Sequence, residues 1–177
     1  MKFRIRPIER QDAEKFHFAF KRQGWNKPAV QFLEYYKQQR FGRRKVFVAE
    51  CDGEVLGYIT LMPEAVVGPF ADKGIPEIVD FNVLKAYQRN GVGSALMDAA
   101  EYEAAKKSDC VCLGVGLHSG YGAAQKMYAK RGYIPDGSGV WYDGEKLAEM
   151  AGTFNDDSLN LYLVKQLKTL THELPRG

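Results

Sequence analysis

Two strand-like runs, EIVDFNVL at 77–84 and CVCLGVGL at 110–117, flank a single helix-length segment at about 91–107. The second run is apolar throughout, as expected of a strand covered on both faces. The segment between them ends in Lys106 and Lys107, whose charges suit a helix C-terminus. A strand, a helix and a strand within about 40 residues make a βαβ unit whose two strands run parallel. The chain is thereby committed to a sheet with helices on its faces.

Upstream of that unit the pattern is antiparallel. KVFVAECDGEVLGYITLM places two β-rich runs, 45–51 and 54–62, around Asp52-Gly53, a pair that tolerates the positive φ angles of a tight hairpin. The opening KFRIRPIE alternates Phe3, Ile5 and Ile8 with basic residues and reads as a first strand that Pro7 interrupts. QDAEKFHFAFKR and KPAVQFLEYYKQQR read as helices. In the second, Ala29, Phe32, Leu33 and Tyr36 share one face, Asn26 is the expected cap and Pro28 the first-turn proline. Downstream, YGAAQKMYAKR is a shorter helix stopped at Gly132, and LNLYLVKQL alternates Leu159, Leu161 and Leu163 as a late strand. The expected architecture is α/β (α+β mixed), a single domain over 1–177.

The chain has 177 residues, enough for one buried core. The N-terminal MKFRIRPIERQD lacks the apolar stretch of a signal peptide, and no run has the length to span a bilayer, so the expected location is cytoplasmic, with no membrane partner. Three cysteines, Cys51, Cys110 and Cys112, argue against a disulfide framework, and Cys110-x-Cys112 lacks the further ligands that zinc needs. No metal is expected. A net charge of +3 without an aromatic-basic stripe gives no reason to expect nucleic acid.

The segment YQRNGVGSALM puts Gly91 and Gly93 where a helix begins, although glycine costs roughly 0.8–1.0 kcal/mol there relative to alanine. The first turn of a helix offers unpaired N–H groups and a partial positive charge, so it attracts phosphate, and glycine keeps side chains out of the way. Gln88 and Arg89 add donors. A P-loop spacing occurs nowhere in the chain. A dinucleotide fingerprint fails at Leu96 and at Cys110 and Val111, where an acidic ribose partner is wanted. The plain alternative is a loop-to-helix turn that simply needs glycine.

With Gln88, Gly91 and Gly93 at the spacing Q/R-x-x-G-x-G/A between strand and helix, the sequence resembles the GNAT acyltransferase superfamily. AAQKMYAKRGYIP adds a second match, similar to that family's A-x-x-x-Y-x-x-x-G-F through Ala124, Tyr128, Gly132 and Tyr133. Tyr121 departs from it, standing where the family often has an asparagine that contacts the CoA arm. The resemblance covers roughly residues 2–143. It implies a GNAT-like fold: about seven strands in a mixed, mainly antiparallel sheet with a central parallel βαβ unit and helices on both faces.

It also implies an N-acetyltransferase, taking acetyl-CoA as co-substrate and passing the acetyl group to a primary amine of a small molecule or protein by direct attack in a ternary complex. On this basis Phe81 and Val83 supply main-chain contacts to the pantetheine arm, and Gln88, Arg89, Asn90, Gly91, Val92, Gly93 and Ser94 cradle the pyrophosphate. Tyr128 is the expected acid. Glu77 is the first candidate for the base, with Asp80, on the opposite strand face by simple alternation, and His118 as alternatives. Acceptor selectivity is assigned by resemblance to the first two helices, with their aromatics, and to the loop PEAVVGPFADKGIP, an expected lid. A homodimer, pairing through LNLYLVKQL, is also expected. The competing reading is a non-catalytic acyl-CoA-binding sensor.

Overall fold

The structure, a computed structural model, describes residues 1–167. Eight strands and four α-helices among them give a mixed α/β, mainly antiparallel fold, as the sequence implies. The described chain divides into two compact units, Met1–Pro63 with Ile78–Tyr102, and Glu64–Glu77 with residues 103–167.

The first unit carries β1 (Arg4–Pro7), α1 (Asp12–Arg22), α2 (Ala29–Arg40), β2 (Lys45–Cys51), β3 (Glu54–Met62), nearly all of β4 (Glu77–Val83) and most of α3 (Val92–Ala105). Its strand order is β1-β2-β3-β4. Pro7 ends the edge strand, where its missing N–H matters least. The β2–β3 hairpin has the expected limits, with Asp52 and Gly53 left-handed at φ 51° and 84°. Phe16, Phe20, Phe32 and Tyr58 are wholly buried and meet ring to ring, Phe16 and Phe32 at 4.8 Å and Phe32 and Tyr58 at 5.1 Å. These aromatics are core. Of the face foreseen on α2, Phe32 is buried while Ala29, Leu33 and Tyr36 pack partly against that core. The helix start differs from expectation: Pro28 itself is the N-cap, extended at φ −74° and ψ 148°, and no side chain caps the helix. A proline can take that place because no N–H is needed there.

The second unit carries β5 (Cys110–Gly116), α4 (Gly122–Lys130), β6 (Ile134–Tyr142), β7 (Glu145–Lys146) and β8 (Leu159–Gln166). Its order is β5-β8-β6-β7. The strand β7 is additional to the expected set, formed where Asp143 and Gly144 turn left-handed at φ 51° and 81°. β8 is paired on both sides, Leu163 standing opposite Leu113 of β5 and Pro135 of β6. It therefore has no free edge for a second copy, contrary to the expected dimer contact. The segment between Glu64 and Pro76 is not a free lid either. Ala65 N–H donates to Ile75 C=O at 2.8 Å, and Ala65 and Phe70 are buried in a small core with Cys112 and Tyr162. No helix of the described residues is long and apolar enough to cross a membrane.

Candidate functional site

The stretch leaving β4 builds the glycine turn. Leu84 N–H donates to Leu56 C=O at 2.9 Å, and a 3-10 turn over Lys85–Tyr87 follows. Gln88 is extended, its Nε2 donating to Val83 C=O at 3.2 Å, and Asn90 Nδ2 donates to Gln88 C=O at 3.0 Å. Arg89 and Gly91 both take left-handed backbone, φ 61° and 81°. Gly91 C=O then accepts from Ala95 N–H at 3.0 Å, which starts α3. A Cβ on Gly91 would meet nothing within 4 Å, so its conformation, not crowding, calls for glycine.

This turn leaves the N–H groups of Val92, Gly93 and Ser94 in the first helical turn, without intrahelical acceptors and at the positive end of the helix. Gln88, Arg89, Asn90, Gly91 and Ser94 are exposed around them, whereas the Val92 side chain is buried and offers only its backbone. The plain turn and the anion seat are thus one geometry: the left-handed residues that fold the chain also clear the helix N-terminus. Its chemistry fits a phosphate group.

Phe81 and Val83 lie half-buried on β4. The Val83 carbonyl already accepts the Gln88 amide, leaving one lone pair for another donor. Gly57 of β3 lets β4 approach closely; a Cβ there would stand 2.6 Å from Asn82 O and 3.0 Å from Val83 Cα. Asp80, in the middle of β4, has φ 51°, so the alternation counted from Glu77 does not run through it. Its carboxylate is surrounded by donors. Lys27 Nζ at 3.0 Å and Asn82 Nδ2 at 2.9 Å reach Oδ1, while Gln31 Nε2 at 2.9 Å, Tyr35 OH at 2.9 Å and Tyr58 OH at 2.6 Å reach Oδ2. Burial, reinforced by Asp80, pushes the Tyr35 phenol up to about 12 and Tyr58 well above its ordinary value, so both are donors at neutral pH.

In the second unit Tyr128 is buried on α4, 6% exposed, with its ring 5.7 Å from that of Tyr133. Burial, with a smaller contribution from Tyr121, raises its phenol far above the ordinary value. No hydrogen bond ties its hydroxyl to another described residue, but it is not a buried unpartnered atom: among the described residues only Gln23 Nε2 is. Glu77, the first residue of β4, is also buried, close enough to Cys112 and Tyr162 to add to the upward push that burial gives both groups. His118 is engaged elsewhere: Nδ1 accepts from Gly120 N–H at 3.1 Å, so Nε2 carries the proton and donates to Asp157 Oδ1 at 2.9 Å. Tyr121 OH donates to the same oxygen at 2.9 Å, and these two bonds, that of His118 foremost, hold Asp157 below the usual carboxylate range.

Sequence reasoning missed the ring around Asp80. Lys27, Gln31, Tyr35, Tyr58 and Asn82 come from a loop, a helix and two strands, so no spacing announces them. The one signal was an acid in the interior of a β-rich run.

The model of the acetyltransferase (GNAT) family matches residues 10–133. An N-alpha-acetyltransferase of Sulfurisphaera tokodaii is 38% identical over 81 residues, 42% of this chain and 46% of that protein. The chain thus matches less than half the length of that relative. Among solved structures, Ard1 from Thermoplasma volcanium has a TM-score of 0.68 at 19% identity, covering 95% of this chain and 99% of that one. An N-acetyltransferase from Staphylococcus aureus has a TM-score of 0.69 at 16% identity, over 95% and 100%. The yncA protein of Salmonella typhimurium, solved with its cofactor acetyl-CoA, has a TM-score of 0.64 at 19% identity, over 99% and 98%. At these identities the structures share the fold.

Proposed function

Because the chain belongs to the acetyltransferase (GNAT) family, we propose that it transfers acetyl from acetyl-CoA to a primary amine, with the α-amino group of a protein as the favoured acceptor class. The observation that carries the cofactor half is the turn Gln88–Gly93, whose two left-handed residues open the N-terminus of α3 to an anion. The relative named as an N-alpha-acetyltransferase supports the acceptor class.

Acetyl-CoA supplies the acetyl group as a thioester. The backbone N–H groups of Val92, Gly93 and Ser94, with the Gln88, Arg89 and Asn90 side chains, hold its pyrophosphate, and the main chain of Phe81 and Val83 aligns its pantetheine arm. Both substrates are held together, and the amine attacks directly. An alkyl amine is mostly protonated at pH 7, about one part in a thousand being free if its pKa is near 10, so removing that proton is part of the work. Glu77 accepts it, and Tyr128 donates to the departing sulfur. A phenol kept protonated by burial, its hydroxyl not otherwise engaged, suits the donor and favours catalysis over passive binding.

Calorimetric titration with acetyl-CoA tests the seat. Micromolar binding that weakens at least about tenfold in Gly91→Glu is expected, since the added carboxylate repels the phosphates. No binding to the folded wild-type protein would remove the reading.

A further inference from the structure

The segment 23–28, between α1 and α2, is fastened to the rest of the first unit at several points, among them His17 Nδ1 with Lys27 C=O at 3.0 Å and Trp25 N–H donating to Phe20 C=O at 2.9 Å. Gln23 Oε1 accepts Lys85 N–H at 3.0 Å, the Trp25 ring stacks on Phe20 at 5.8 Å, and Lys27 enters the ring of donors around Asp80. Lys27 is the strongest of these anchors. Its ammonium bonds Tyr58 OH at 2.8 Å and Asp80 Oδ1 at 3.0 Å, and sits 5.7 Å and 5.6 Å from the centres of the Phe20 and Tyr58 rings. Both partners are largely shielded, with 21% and 17% of their side chains exposed.

A carboxylate offers about four lone-pair sites, and Asp80 receives five donors. A proton from a substrate would have to displace one of them. Asp80 is also the residue immediately before Phe81, so whatever is pinned to it stands beside the strand assigned to the cofactor.

We infer that Asp80 and Lys27 are a positioning pair: the β4 carboxylate holds segment 23–28 in place through the Lys27 ammonium, and this hold, not proton transfer by Asp80, is what the pair contributes to acceptor binding. The role in acceptor binding rests on the acetyl-transfer reading; the hold itself does not.

The test uses the full chain with three variants, Asp80→Asn, Lys27→Met and the two combined. Asparagine tolerates the left-handed backbone of position 80, and methionine keeps much of the lysine stem. Amide hydrogen exchange over 23–28 is expected to quicken about tenfold in each single variant, the scale of a lost charge-assisted bond, and no further in the combination. With acetyl-CoA and short peptides bearing free α-amino groups, the acceptor KM rises about tenfold, while kcat and its acidic limb against pH stay within about threefold of wild type. Unchanged exchange in both single variants would overturn the hold. A fall in kcat of about 100-fold in Asp80→Asn, with the acidic limb gone, would make Asp80 the base instead. Absence of acetyl-CoA-dependent turnover in the wild type would overturn the acceptor role, while the exchange result would still decide the hold.

Discussion

At position 128 a phenol 6% exposed is kept protonated by burial, and no hydrogen bond of its hydroxyl ties it to the described residues. Tyr128→Phe is therefore expected to leave the urea midpoint unchanged and to lower kcat by about 100-fold or more, the scale of a lost general acid. A large stability loss with activity retained would assign the hydroxyl to packing. Gly91 behaves oppositely. Its Cβ site is open but its φ is 81°, so Gly91→Ala should cost about 1–2 kcal/mol in urea unfolding through backbone strain. Glu50 gives a pH signature. Its Oε1 accepts Gly53 N–H at 2.7 Å and its Oε2 accepts Arg4 Nε at 2.8 Å, and these bonds, that of Gly53 foremost, hold the carboxyl at about 2 against an ordinary 4.5. A depressed carboxyl stabilises the fold above its ordinary value and loses that contribution as pH falls toward about 2. The stability gap between wild type and Glu50→Gln, read from urea midpoints, is expected to be widest near neutrality and to close across that window. At this scale the glycine turn before α3 was legible, because Gln88, Gly91 and Gly93 sit at fixed spacings along one short stretch of chain. The donors around Asp80 were not, because they meet only after folding.

Among elements, β3 and β4 approach closely at Gly57, which constrains the strand proposed to align the cofactor. A methyl on Gly57 would sit 2.6 Å from the Asn82 carbonyl, and backbone cannot yield as a side-chain tip does. Gly57→Ala is expected to lose about 1–3 kcal/mol, measured by chemical denaturation, and to weaken acetyl-CoA binding by displacing Val83. Unaltered affinity in a folded variant would detach that strand from the cofactor. The hairpin limits at 45–51 and 54–62 were readable because Asp52-Gly53 dictates the turn locally. The α2 start was misread because Asn26 looks like a cap on local preference alone. The actual path places Pro28 at the cap and sends Lys27 into Asp80, a tertiary contact that outweighs about 1 kcal/mol of capping. The late strand was read correctly as a strand, but its place between β5 and β6 was not foreseen, since alternation reveals faces but not neighbours.

For the molecule as a whole, the chain belongs to the acetyltransferase (GNAT) family and has a mixed, mainly antiparallel α/β fold, and the two compact units divide the candidate groups between them. The glycine turn, the proposed phosphate seat, belongs to the first and Tyr128 and Glu77 to the second. The α/β class was legible because strand, helix and hairpin signals agreed along most of the chain, whereas the extra strand β7 rests on two residues that no periodicity marks. The most direct measurement is to incubate the protein with acetyl-CoA and a panel of short peptides with free α-amino groups, following free thiol release and peptide mass together. The account predicts thiol release that depends on peptide, matched by one acetyl group gained at the amine and suppressed in Tyr128→Phe. Tight acetyl-CoA binding with no peptide or other primary amine acetylated would contradict it and leave a binding domain in place of an enzyme.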